Sequence, residues 1–182
     1  THQPIESLTI LRSIPNVITI RPCNFTEVKQ AYSFAFDYQG PTAIILSRQS
    51  FKMYEIETTD IMKGAYVIYY EKQPLDKIII ATGSEIPLAI EVAETLQNIR
   101  VISMPSCELF DKQTESYKNE ILPKNIVKIS IEAGSTIGWY KYADFCFGID
   151  RFGCSGNLYE LKEYFGFTKE RIIKYICNCK NK

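Results

Sequence analysis

Short apolar runs alternate along this chain with longer stretches whose apolar positions recur at helical spacing. The short runs occupy residues 17–20, 42–46, 66–70, 77–81, 101–104, 126–133 and 145–149, and their length and bounding turn residues predict strands. Between the first two, Asn24 followed by Glu27 is a capping-box pattern, and Val28, Ala31, Tyr32, Ala35 and Phe36 share one predicted helix face. Gly40-Pro41 stops that helix. Pro4 suits the first position of an earlier helix, with Glu6 in its first turn and Ile5, Leu8 and Leu11 as its apolar stripe. Further on, Ile86, Ile90 and Ala93 share a face that Leu88, Val92 and Leu96 widen, so 77–104 reads as a βαβ unit with 77–81 as its central strand. Shorter helices are expected over 111–122, 158–164 and 169–177, the last capped by Thr168, and Trp139, Tyr140 and Tyr142 fall on a helical turn where they fill a core or an interface.

Alternation of strand and helix predicts α/β architecture with parallel sheets. The pattern weakens over 51–73, around the polar stretch Glu55-Ile56-Glu57-Thr58-Thr59-Asp60. Three segments follow from this. Residues 1–58 read as a partial parallel-sheet domain, 59–76 as a linker and edge strand, and 77–182 as a three-layer α/β domain with a mostly parallel mixed sheet.

Composition narrows the function classes. The balance of 46% apolar and 23% charged residues is that of a soluble globular protein, and 21 basic against 21 acidic residues leave no net charge. With no run of like charge, the sequence argues against nucleic-acid or membrane partners, and any anion must be held by a local site. No apolar run reaches the roughly 20 residues of a membrane span. Cysteines stand at 23, 107, 146, 154, 177 and 179 without a C-x-x-C pair, the usage of reduced thiols in a cytoplasmic protein. Cys177-Asn178-Cys179 comes nearest to a ligand cluster and lacks partner histidines.

The candidate chemistry sits at strand ends. In open α/β sheets ligands bind outside the carboxyl ends of the strands. Arg21 follows the run 17–20, and Ser47-Arg48-Gln49 follows 42–46. His2, the only histidine, joins the same edge if a strand precedes it. Arg48 offers the planar fork that grips a phosphate or carboxylate, and Ser47 adds a hydroxyl. Thr82-Gly83-Ser84 follows the central strand but fits neither G-x-x-x-x-G-K-[ST] nor G-x-G-x-x-G, so Gly83 reads as turn geometry. A threonine at position 1 also raises an N-terminal nucleophile, which the strand-helix alternation opposes.

Taken together, the motifs resemble the transketolase family, in order and over essentially the whole chain. T-H-Q-P-x-E stands at 1–6, R-P at Arg21 and Pro22 with Glu27 after it, G-P-T-A at 40–43 and L-S-R-Q at 46–49. I-A-T-G-S-E stands at 80–85, S-M-P-S-x-E-L-F-D-x-Q at 103–113, G-W-x-K-Y at 138–142 and G-I-D-R-F-G at 148–153. Two positions depart from the family pattern: Cys23-Asn24 where Ala-Asp is usual, and Cys107 where a large aromatic is usual. Related thiamine-diphosphate enzymes such as deoxyxylulose-phosphate synthase share the domain order, but the pairing of T-H-Q-P with L-S-R-Q favours transketolase. A non-catalytic structural or dimerisation module remains the alternative for the isolated chain.

The resemblance implies a C-terminal fragment: the end of a pyrimidine-binding domain, then a transketolase C-terminal domain. It implies thiamine diphosphate and a divalent cation, Mg or Ca, as cofactors of the parent, with their binding residues outside this chain. It implies transfer of a two-carbon ketol unit between sugar phosphates in the non-oxidative pentose phosphate pathway, by a cytoplasmic homodimer. His2 is then the catalytic candidate near the reacting carbons and Arg48 the substrate-phosphate ligand. On this expectation the 182-residue chain by itself transfers no ketol unit. A coupled assay on the isolated chain checks this, and measurable transfer would refute it.

Overall fold

The computed structural model describes residues 3–54 and 60–180. Helix α1 (Ser7–Ser13) starts later than Pro4 predicts, with Glu6 at the N-cap position and no side-chain cap. Its first turn is displaced because the Ile5 carbonyl accepts a hydrogen bond from Ser135 N–H (3.3 Å) and the Glu6 carboxyl bonds back to Ile5 N–H (3.0 Å). Strand β1 (Ile18–Ile20) is fully buried. After it, α2 (Phe25–Asp37) is capped by the Asn24 side chain on Glu27 N–H (2.8 Å), as the sequence predicts. Strand β2 (Thr42–Ile44) pairs with β1 in parallel, Ile18 opposite Thr42.

The face that α2 buries is not the apolar stripe of the sequence. Glu27, Ala31 and Phe34 point inward, whereas Tyr32 and Phe36 are exposed. The Glu27 carboxyl sets this phase, because it accepts from Cys23 N–H (2.6 Å), Tyr66 O–H (2.6 Å) and Ser103 O–H (2.8 Å). Turning Glu27 outward would leave three buried donors without their acceptor, so these bonds hold Phe36 on the solvent side. Burial, then the adjacent Glu27, pushes the Tyr66 phenol well above its ordinary value, so it stays a donor.

A 3₁₀ turn (Ile61–Lys63) leads into the second sheet. Its strands are β3 (Tyr66–Tyr69), β4 (Lys77–Ala81), β5 (Ile99–Ser103), β6 (Val127–Ile131) and β7 (Phe145–Phe147), ordered β3-β5-β4-β6-β7. Only β3 runs antiparallel, so the sheet is mixed and mostly parallel, with β4 central and β3 at an edge. Consecutive residues of β4 feed opposite cores. Ile79 and Ala81 meet α3 (Ile86–Leu96), with α7 (Lys169–Asn178) in the same layer through Ile172 and Ile176. Ile78 and Ile80 meet α4 (Cys107–Asp111) and α5 (Glu115–Ile121), with Trp139 of a 3₁₀ turn (Thr136–Lys141). This gives three layers, α/β/α, as the alternation predicts.

Smaller differences have local causes. Helix α4 was not expected from periodicity and is started by Ser106, whose hydroxyl caps Leu109 N–H. Trp139 joins the core while Tyr140 stays exposed. Helix α6 (Leu158–Phe165) ends at Gly166, and Thr168 stands at the N-cap of α7 without bonding to it. Among the described residues no helix is long and apolar enough to cross a membrane.

The two sheets share packing. Leu109 of α4 joins Ile18 and Ile20 of β1 and Phe34 of α2 in one core, and Arg21 N–H donates to Pro105 O (2.9 Å). Glu27 links the same parts, binding Tyr66 of β3 and Ser103 of β5. Glu27→Ala leaves three buried donors without an acceptor and should cost on the order of 3 kcal/mol, while Tyr66→Phe should cost about 1–2 kcal/mol. Urea unfolding of the variants checks both values.

Candidate functional site

Strands β1, β4 and β6 are each followed directly by a polar residue, Arg21, Thr82 and Glu132, and these meet. The chain leaves β4 toward β5 on one side and reaches β6 on the other, so the topological switch point lies between β4 and β6. Thr82, Gly83, Ser84 and Glu85 follow β4, and Glu132 follows β6. A ligand would ordinarily enter here, but two guanidinium groups of the first segment fill the place. Arg21, delivered by β1, donates to Thr82 O (2.8 Å), Glu85 Oε2 (2.5 Å) and Ser84 Oγ (3.0 Å), and lies 3.5 Å from Glu132 Oε1. Arg12 of α1 makes a two-pronged pair with Glu132 (2.7 and 2.9 Å) and lies over the Trp139 ring, its carbon 5.1 Å from the centroid. Trp139 Nε1–H donates to the same carboxylate (2.8 Å).

The network balances two cations against two carboxylates, with Glu132 only 1% exposed. Burial pushes the Glu132 carboxyl up, but Arg12, followed by Arg21 and the Trp139 donor, holds it below its ordinary value of 4.5. Glu85 is fixed as well, accepting from Ser84 O–H (2.7 Å) and Ala133 N–H (3.2 Å). Gly83 adopts φ +56°, and a Cβ there would stand 2.9 Å from the Arg21 side chain. Its role is therefore turn geometry and close approach, as its missing phosphate-loop pattern suggests.

The predicted trio of strand-end residues is accordingly divided. Arg21 and Arg48 do follow the carboxyl ends of the paired strands β1 and β2. Arg21, however, is consumed by the junction and is not free to bind a ligand, because four protein groups surround its guanidinium. Arg48 is exposed, and among the described residues no hydrogen bond or ion pair engages it. Ser47 turns its hydroxyl onto the backbone of Gln49 (3.0 and 3.2 Å). His2 lies outside the described residues; Gln3, beside it in sequence, lines a cleft of about 430 Å³ together with Arg21, Ser47, Gln49, Glu85 and Lys162. Periodicity missed Arg12, Glu85 and Glu132. The signal for Glu132 was a lone carboxylate inside the apolar run 126–133.

The cysteines are free thiols scattered over both units, with Cys179 buried and Cys177 exposed. Burial raises the Cys23 and Cys107 thiols, the latter to about 12, which keeps them protonated and unreactive.

These features define an α/β protein of two sheets in which arginines of the smaller unit bond across the switch point of the larger sheet, beside a cleft of about 430 Å³ that Arg21, Ser84, Glu85 and Ala133 help to line. Residues 64–168 match the Transketolase-like TK C-terminal domain, and residues 1–53 match the transketolase pyrimidine binding domain. The chain is 43% identical to a transketolase of Aquifex aeolicus, over 97% of this chain and 27% of that protein. It is also 43% identical to transketolase 1 of Saccharomyces cerevisiae, over 96% of this chain and 26% of that protein. The solved transketolase of Campylobacter jejuni superposes with a TM-score of 0.90 at 34% identity, covering 98% of this chain and 28% of that one. The chain belongs to the transketolase family. It spans about a quarter of the length of these relatives.

Because the Glu132 carboxyl is held below 4.5, its stabilisation is complete above that pH and is lost as the pH falls through the depressed value. Glu132→Gln, which strands Arg12, should destabilise the protein at neutral pH by about 3–5 kcal/mol and flatten the loss of stability below pH 4.5. Denaturation midpoints recorded against pH check both the sign and the window.

Proposed function

We propose that this chain is part of a thiamine-diphosphate-dependent transketolase that moves a two-carbon ketol unit from a ketose phosphate to an aldose phosphate. The observation that carries the proposal is family membership over nearly the whole chain, combined with an exposed Arg48 beyond the carboxyl end of β2 that has no partner among the described residues. On this reading 1–58 is the end of the pyrimidine-binding domain, 59–76 the linker with its edge strand, and 77–182 the C-terminal domain. The enzyme is a cytoplasmic homodimer of the non-oxidative pentose phosphate pathway, and its remaining binding surfaces come from the rest of the transketolase protein.

The fit of the cofactor can be judged from the donors present. Among the described residues no group of three His, Cys, Asp or Glu side chains could hold a metal ion, and the switch-point crevice is filled by Arg12 and Arg21. The described residues thus do not fit a diphosphate and its magnesium or calcium ion.

What this chain contributes is binding and orientation. Arg48 can grip the terminal phosphate of a sugar with two parallel N–H···O bonds, at the end of the substrate far from the reacting carbon. Binding energy spent there orients the carbonyl end. On this reading His2 hydrogen-bonds the substrate oxygen or moves its proton, since an imidazole near neutral pH can do either. Arg48→Ala in the active enzyme should lower kcat/KM for phosphorylated substrates about 10- to 100-fold. The kcat/KM for an unphosphorylated acceptor should stay the same. Steady-state kinetics with both acceptors checks this, and equal losses on the two would refute the phosphate role.

A further inference from the structure

Helix α6 carries an apolar stripe, Leu158, Leu161 and Phe165, at helical spacing, yet none of its residues is buried. That stripe, with Lys162 on the same face, lines the cleft of about 430 Å³ beside the Arg21–Glu85 pair. Residues 3–5 and Phe51 of the smaller unit line it as well, as do Leu88 of α3 and the buried Ile149 and Phe167. The strap formed by residues 3–5 is fixed by loops of the larger unit. The Gln3 amide, turned so that both ends are satisfied, accepts from Ser155 N–H (2.9 Å) and donates to Gly153 O (3.1 Å), and Ile5 O accepts from Ser135 N–H (3.3 Å). This side of the cleft is therefore preformed. Its charges do not cancel. Arg21 and Glu85 neutralise each other at 2.5 Å, and no other acidic side chain lines the cleft. Lys162, in contrast, has no hydrogen bond or ion pair among the described residues.

We propose that this cleft is a binding site for an amphipathic organic anion, an aromatic ring system bearing one carboxylate or sulfonate. Its apolar body lies against Leu158, Leu161 and Phe165, and its acid group meets Lys162. Small-molecule sites form at junctions between units and at the switch points of α/β sheets, hold about 300–1,000 Å³, and are lined mostly by apolar side chains with a few polar groups. The cleft meets each of these conditions. Phe51, Phe165 and Phe167 among its lining residues suit a ring, which gains from edge and offset contacts beyond its buried area. A sugar phosphate does not suit it. The hydroxyls of a sugar would lose water against the apolar stripe without gaining partners, and Arg48 does not line the cleft. The unmatched charge of Lys162 selects an acid over a neutral or cationic head group.

The test titrates the protein with 8-anilinonaphthalene-1-sulfonate and, separately, with 1-anilinonaphthalene, the same ring system without its acid group, following probe fluorescence. One sulfonate is expected to bind per chain. Lys162→Ala should weaken the sulfonate about 3- to 10-fold and leave the neutral probe unchanged, and Lys162→Arg should retain the sulfonate. Leu161→Gln should weaken both probes about tenfold or more, because it removes apolar wall. Near-UV circular dichroism of Trp139 checks that this variant folds, and the exposed Lys162 variants carry the test if it does not. Several probes bound per chain, equal sulfonate affinity in Lys162→Ala, or unchanged binding by folded Leu161→Gln overturns the proposal. A protein that is dimeric, excludes both probes and becomes monomeric on Leu161→Gln holds a second copy in the cleft, which also overturns it.

Discussion

Glu132 is the point on which the two units depend. It ends β6, is buried, and holds Arg12 through two hydrogen bonds while Arg21 stands beside it and Trp139 closes the remaining side. A single buried carboxylate would be expensive, and so would either guanidinium; together, with Glu85, they balance. Removing any one leaves its neighbours in a dry interface with their charge less fully balanced. The junction therefore behaves as one piece of structure, although its members come from α1, β1, the turn after β4 and the end of β6.

This arrangement gives the larger unit the sheet order of a ligand-binding α/β domain with the polar groups of its switch point engaged by protein cations. The carboxyl ends of β4 and β6 retain their polarity, but that polarity is spent on Arg12 and Arg21. Docking of the smaller unit has taken the place of a ligand. Glu27 repeats the logic on the other side of β1, where one carboxyl gathers donors from α2's own cap, β3 and β5. Both junctions use hydrogen-bonded acids where apolar packing could have served. Their directional bonds fix the angle between the sheets, which nonpolar contact alone would leave looser.

Fixing that angle matters for the edge where chemistry is proposed. Arg21, which follows β1, is drawn into the junction, while Arg48, beyond the end of β2, is exposed and has no partner among the described residues. The strap that follows His2 is seated on loops after β6 and β7. The larger unit thus supplies a rigid base for a segment that belongs by sequence to the smaller one.

The sequence by itself determined the α/β class, the parallel sheets, the central position of β4, the capped α2 and the family, because strand length, helical spacing and ordered motifs are local properties. It also put Arg48 forward as a candidate, since a cation after an apolar run marks a strand's carboxyl end. Tertiary structure decided the rest. Phe36 and Tyr32 look like core on the helical wheel, yet Glu27 takes the inward face because its partners Tyr66 and Ser103 are far along the chain. Arg21 looks as available as Arg48, yet Glu85 and Glu132 claim it across more than sixty residues of sequence. Pro4 looks like a helix start, yet Ser135 holds the Ile5 carbonyl out of the first turn. In each case a local rule set the options and a distant hydrogen-bonding partner chose among them, because burial makes an unpaired polar group costlier than a misplaced apolar one.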